Sequence, residues 1–130
     1  CSTSEEQPKD PVIPHHSYEE ISDKMINWLD VFTHDDNYCV YFFSRICKYC
    51  DSIRDEVIEI SLTHQTPIYF CNDNEIVTDR YLDVESTIGK GNINEFRVKG
   101  FPSVIEVNNQ VVKAHCPGKS ATINFIRSIA

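Results

Sequence analysis

Residues 41–60 read YFFSRICKYCDSIRDEVIEI, and how this stretch is read decides the fold. It begins inside a longer apolar and aromatic run, YCVYFFSRI (38–46), the pattern of a strand buried on both faces. Cys47 and Cys50 follow in C-x-x-C spacing. Ile53, Val57, Ile58 and the Ser61/Leu62 pair then recur at helical spacing, so the cysteines lie on a strand-to-helix turn. Such a pair can be a redox couple, half of a metal site or two inert buried thiols.

The turn favours the first of these. Cys47 falls at or just before a helix N-terminus, where unpaired backbone N–H groups and the helix dipole stabilise an anion. The thiolate is the nucleophile of disulfide exchange, so that placement activates it. Cys50, three residues on, shares the helix face, can close a disulfide and should be the more shielded of the two. Arg45, Lys48 and Arg54 put positive charge around the pair in a chain whose net charge is −8. A structural zinc site usually shows a second Cys/His pair at similar spacing, and the sequence has none.

Outward from the turn, Ser17 and Glu20 form an S-x-x-E capping box. Ile21, Met25, Trp28, Leu29 and Phe32 then predict an amphipathic helix that ends at the polar THDDN (33–37). TPIYF (66–70) reads as a second buried strand, which with the first and the intervening helix makes a βαβ unit of parallel strands. Residues 72–92 are acidic and weakly periodic, a loop with some helix, and INEFRV (93–98) is a short helical turn. SVIEV and QVVKAH, joined by Asn108-Asn109, read as a hairpin. PGKS follows with Ser120 as a candidate N-cap, and ATINFIRSIA is a closing helix carrying Ile123, Ile126 and Ile129.

A central strand, C-x-x-C opening a helix, a second strand, then VKGFPSVIEVNNQVVKAHCPG and a last helix together resemble the thioredoxin-like superfamily over about residues 17–130. The likeness extends to small thioredoxin-like lipoproteins of Gram-positive type, which share the longer acidic segment before the proline motif. It implies an α/β thioredoxin fold: a central mixed sheet flanked by helices, here with an extra N-terminal helix and an acidic insertion before the proline motif. It further implies a cis Phe101–Pro102 bond facing the cysteines, and a substrate groove of Phe101, Pro102 and Gly118. There the backbone of Phe101 pairs with an extended substrate strand.

The chain also departs from the family. The Trp that commonly precedes the first cysteine is Ile46. The inner pair is Lys48-Tyr49, unlike the Gly-Pro of thioredoxins, with a Tyr as in glutaredoxins. The buried acidic residue that accepts the resolving thiol's proton is replaced by Tyr41, leaving Tyr49 or water as the expected relay. Lys48, Tyr49 and Arg45 are the expected tuners of the cysteine couple.

Other features carry less. The acidic balance disfavours phosphate backbones and anionic lipid surfaces, so nucleic acid is not an expected partner. No apolar run approaches the roughly 20 residues that span a bilayer. Cys39, Cys71 and Cys116 read as core or near-surface thiols, with a structural disulfide among them as an alternative. Asp73, Glu75, Asp79, Asp83 and Glu85 do not match a calcium loop and read as a solvated insertion. The opening CSTSEEQPKDPVIPHHS is rich in proline and charge. Residues 1–16 are accordingly expected to be a flexible tether, with His15 and His16 solvated, ahead of a domain over 17–130. A chain opening on Cys1 before a polar linker resembles a mature bacterial lipoprotein. On that reading Cys1 carries lipid and the protein is extracytoplasmic and membrane-anchored; the alternative is a cytoplasmic protein.

These readings converge on a thiol–disulfide oxidoreductase. Cys47 is its nucleophile and Cys50 its resolving thiol. It needs no organic cofactor or metal, acts on a protein thiol or disulfide, and depends on a redox partner to recycle the couple. The competing reading is a non-catalytic thioredoxin-like binding module or metal-binding surface protein, with His115 as a candidate ligand beside Cys47 and Cys50.

Overall fold

The computed structural model describes residues 13–63 and 67–129. The lipid attachment expected at Cys1, and the tether as far as residue 12, lie outside the described residues. Five strands form one mixed sheet: β1 (Met25–Ile26), β2 (Tyr38–Phe42), β3 (Ile68–Cys71), β4 (Ser103–Asn108) and β5 (Val111–Pro117), in the order β1-β3-β2-β4-β5. β2 pairs parallel with β3 and antiparallel with β4, and β4 and β5 form the hairpin. Two helices, α1 (Lys48–Thr63) and α2 (Lys119–Ile129), complete the layers. Among the described residues no helix is long and apolar enough to cross a membrane.

All five residues of β2 are buried, because the sheet is covered on both sides. Alternation sorts them. Cys39 and Tyr41, with Phe43 beyond the strand, point into one core with Ile53, Val57 and Ile58 of α1 and Ile123 and Ile126 of α2. Tyr38, Val40 and Phe42 point into the other core, with Trp28, Phe32, Phe96 and Val98. Each fully buried Ile or Val contributes about 1.5–3 kcal/mol of transfer free energy. Arg127 of α2 holds Glu56 of α1 through two hydrogen bonds of 2.5 and 2.7 Å, which fixes the helix pair on the first face.

Four local expectations are corrected. The single N-terminal helix is instead two short 3-10 helices, Tyr18–Lys24 and Trp28–Asp30, with β1 between them. Met25 and Ile26 pair with Phe70 and Cys71 on the open sheet edge, and the Trp28 N–H donates to the Asp73 carboxylate at 2.8 Å. Those partners outcompete helical bonds, and Ile21 already leaves helical geometry at φ −118°, ψ 28°. The capping half-interaction survives, since the Glu20 carboxylate accepts from the Ser17 N–H at 2.8 Å.

The hairpin turns one residue later than predicted. Asn108 still pairs with Val111, so Asn109 and Gln110 take the positive φ values, 53° and 66°. The last helix likewise starts before Ser120. The Thr122 N–H donates to the Gly118 carbonyl at 2.9 Å, which makes Gly118, at φ 91°, the residue that opens α2. His16 is not solvated either. Its backbone N–H reaches Asp55 at 2.9 Å, and its ring nitrogens lie 2.9 Å from Glu20 and 2.7 Å from Glu59, fastening the chain to α1. Hydrogen bonds to Glu20 and then Glu59 raise its pKa.

Candidate active site

Cys47 sits immediately before α1, and its carbonyl accepts the Asp51 N–H at 3.1 Å, so it occupies the cap position of the helix. Its thiol is half-buried and faces the carbonyl of Phe101 at 3.9 Å. Cys50, in the first turn of α1, is fully buried. Burial pushes the Cys50 thiol up to about 12, the neighbouring Cys47 adds to the rise, and a hydrogen bond from the Ser44 backbone opposes it. The two sulfurs are therefore unlike. One is reachable from solvent and placed at a helix N-terminus; the other is held protonated behind it. Both are free thiols, as are Cys39 and Cys71.

The proline motif forms the opposite wall. The Phe101–Pro102 bond is cis. The Pro102 carbonyl accepts the Gly118 N–H at 2.8 Å and the Thr122 hydroxyl at 3.3 Å, and that hydroxyl also reaches the Cys116 carbonyl at 3.1 Å. Ser103 Oγ donates to the Gly100 carbonyl at 2.6 Å. Thr122 is the residue sequence reasoning missed. A buried threonine one turn into a helix carries no signal of its own, yet here it ties α2, β5 and the proline loop together. A groove of about 560 Å³ runs along this wall, lined by Tyr49, Phe101, Pro102, Pro117 and Gly118 and by the first turn of α2.

The structure places the tuning residues differently from one another. Arg45 stacks over the Tyr18 ring at 5.0 Å and lies 4.0 Å from Glu19. Arg54 is shared between Asp51 at 3.8 Å and Asp55 at 3.3 Å. Both cations thus spend much of their field on carboxylates, and Lys48 has no such partner among the described residues. Tyr49 is 65% exposed and lines the groove, so it does not stand behind the buried Cys50 as a proton relay. Ile46, in the position of the family's tryptophan, is 93% exposed.

Tyr41 is fully buried in the core that contains Cys50, and with Tyr18 it carries a buried hydroxyl that has no hydrogen-bond partner among the described residues. No carboxylate replaces it there. Cys39 and Cys71 face opposite cores, so no bridge joins them, and burial raises each to about 12. Cys116, buried at the end of β5 on the Cys50 side, is disulfide-bonded and not the free thiol expected there. His115 points the other way, packs 5.6 Å from Phe96 and has Nδ1 3.1 Å from the Thr87 hydroxyl. It is thereby separated from Cys47 and Cys50 by the sheet. Among the described residues no group of three or more His, Cys, Asp or Glu side chains is placed to hold a metal ion.

In the acidic segment Glu75, Asp79, Asp83 and Glu85 are exposed, as expected of a solvated insertion, and some also order the backbone. Asp73 holds Trp28, Asp79 accepts the Tyr81 N–H at 3.0 Å, and Asp83 caps the 3-10 helix Val84–Thr87.

No family model matches the sequence, and no curated protein matches it. Solved structures do resemble it. Plasmodium falciparum thioredoxin is 18% identical, with 82% of this chain and 99% of that one covered, at a TM-score of 0.52. Spinach chloroplast thioredoxin f, short form, is 16% identical over 82% of this chain and 88% of its own, at 0.51. A chain of the complex between ferredoxin:thioredoxin reductase and thioredoxin f2 is 13% identical over 82% and 90%, at 0.53. At these identities the likeness is one of fold.

Proposed function

We propose that this chain, which has the thioredoxin fold, is a thiol–disulfide oxidoreductase acting through Cys47 and Cys50. The observation that carries the proposal is the pairing of a half-buried Cys47 at the α1 N-terminus, facing the Phe101 carbonyl beside cis Pro102, with a buried, protonated Cys50 behind it.

In the reducing direction, the Cys47 thiolate attacks one sulfur of a substrate disulfide and the other sulfur leaves as a thiolate that takes up a proton. Cys50 then loses its proton and attacks Cys47 Sγ, which breaks the mixed disulfide and releases the second substrate thiol. Two electrons pass to the substrate, and the chain is left with a Cys47–Cys50 disulfide. Run backwards, the same steps oxidise a substrate dithiol. In either direction a partner must restore the couple, and the resemblance to a thioredoxin crystallised with its reductase supports a protein in that role. The extracytoplasmic setting is part of the proposal, and a diacylglycerol adduct on Cys1 in native material is its test.

Titration in glutathione buffers, with alkylation of free thiols and mapping by mass spectrometry, tests the couple. A reversible Cys47–Cys50 disulfide supports the proposal. A midpoint of about −120 to −180 mV assigns disulfide formation or shuffling, and one of about −270 mV assigns reduction. If the two cysteines form no disulfide at any poise, the chain is a binding module instead.

A further inference from the structure

The groove at the cysteines does not end at Gly118. A second hollow, of about 320 Å³, shares Phe101, Pro117 and Gly118 with it and continues to Arg80, Lys99 and Gly100. The two adjoining hollows make a trough that shares Phe101, Pro117 and Gly118, and the Cys47 thiol faces the carbonyl of that Phe101. Its middle is apolar, with Phe101, Pro102 and Pro117, and Tyr49 standing at one side.

The trough's charge is the reverse of the protein's. Lys119 borders one end and Arg80 and Lys99 the other, and among the described residues no Asp or Glu lines either half. Lys48 stands exposed beside Cys47. None of these four cations is within 4.0 Å of a carboxylate among the described residues. Arg80 instead donates to the Tyr81 hydroxyl at 2.8 Å and stacks on that ring, and Asp79, its neighbour in sequence, is engaged with the Tyr81 N–H. In a chain of net charge −8, three cations lining this trough and a fourth next to Cys47 in sequence, none paired with a carboxylate among the described residues, are a local reversal of sign. Two hollows elsewhere, of about 230 and 330 Å³, show the other pattern, lined by Asp73 in both and by Asp30 and Glu75 in the second.

We infer that the trough selects substrates in which the reacting cysteine lies in an extended acidic segment. An apolar residue would lie over Phe101 and Pro102, with carboxylates on either side reaching Lys119 at one end and Arg80 and Lys99 at the other. This rests on the oxidoreductase reading and adds the substrate's chemistry to it. Charge of one sign at a groove mouth raises the encounter rate of opposite charge by 10-fold or more, and salt screens the effect.

The test uses three synthetic peptides, each with one cysteine as a mixed disulfide to 5-thio-2-nitrobenzoate and flanked by Glu, Ala or Lys. Exchange by the reduced protein is followed as release of the thionitrobenzoate. Each single-turnover second-order rate constant is divided by that of the same peptide with a neutral small thiol, which removes intrinsic reactivity. The Glu peptide is expected to exceed the Lys peptide by about tenfold at low ionic strength, collapsing toward unity in molar salt. The triple variant R80E/K99E/K119E should reverse the order. Equal normalised rates in the wild-type protein at low salt overturn the inference while leaving the oxidoreductase reading intact. If none of the three peptides is exchanged, the oxidoreductase reading falls and this inference with it. The salt series needs no variant, so misfolding of the triple variant would not rescue the inference.

Discussion

The two faces of the sheet are built from alternate residues of the same strands, and they do different things. The face bearing Cys39 and Tyr41 is covered by α1 and α2 and reaches the cysteine pair. The face bearing Tyr38 and Phe42 has no α-helix over it among the described residues. It is closed by Trp28, Phe32 and Phe96 from irregular segments, whose rings stack or meet edge-on at 5.4–6.2 Å. Helices present their N-termini to a ligand, and aromatic plugs do not. The proposed chemistry therefore belongs to the helical face, and the aromatic face supplies core packing.

That division gives its largest prediction at the cysteines. Cys47→Ser should abolish disulfide exchange with unchanged stability, whereas Cys50→Ser should accumulate the mixed disulfide on Cys47, seen as a mass adduct. Exchange persisting in Cys47→Ser would place the nucleophile elsewhere. On the other face, Phe96→Ala removes a fully buried ring that contacts Trp28, Phe32, Phe42 and His115, and should cost about 3–5 kcal/mol in urea unfolding. The folded fraction of that variant should exchange at the wild-type rate. A loss of exchange exceeding the loss of folded protein would show that the faces are not independent.

Two histidines divide the same way and titrate with opposite sign. His115, buried on the aromatic face, has its pKa lowered to about 4, by burial first and then by the charge of Lys99. The unfolded chain takes up this proton near pH 6.5 and the folded chain resists until about 4. Stability is thus expected to fall by about 3 kcal/mol as pH drops through that window. His115→Leu should flatten this acid limb. His16, on the helical face, is raised by Glu20 and Glu59. Its contribution is complete below about pH 6.5 and fades as pH rises through the raised value. His16→Gln should remove that shallower alkaline loss, so urea midpoints against pH separate the two.

Much of this was legible beforehand where one segment decides its own structure. The continuous apolar run fixes β2 at the centre of the sheet, and the Ile53, Val57, Ile58 period fixes α1, with the cysteines between them. What was not legible depends on distant partners. Nothing local tells Met25 and Ile26 to leave a helical pattern, because the open edge of β3 draws them out. Gln110 bears no mark of a left-handed residue; it takes that geometry because the ladder runs through Asn108. His16 resembles any linker histidine until Glu20 and Glu59 are brought around it. The basic residues near Cys47 could be counted from sequence, but which of them are neutralised could not. Arg54 is paired and, among the described residues, Lys99 and Lys119 are not, and that distinction exists only after folding.

The smallest predicted effect sharpens the boundary between stability and chemistry on the helical face itself. Tyr41 occupies the strand position where the family's buried acid would stand, and burial pushes its hydroxyl well above the ordinary phenol value. It cannot act as an ionised base at neutral pH. Its hydroxyl lies beside that of Tyr18 without a well-formed hydrogen bond among the described residues, and an unsatisfied buried hydroxyl costs about 1–3 kcal/mol. Tyr41→Phe keeps the ring against Phe43 and Phe70 and removes only that oxygen. The variant is expected to match or exceed wild-type stability by about 1 kcal/mol. Destabilisation by that amount would mean that the oxygen is satisfied in solution, by Tyr18 or by water. If stability holds while resolution of the Cys47 mixed disulfide slows, the hydroxyl is retained for the proton leaving Cys50 and not for the core. If both are unchanged, that proton leaves by another route, and Tyr41 is a core residue whose oxygen the fold tolerates.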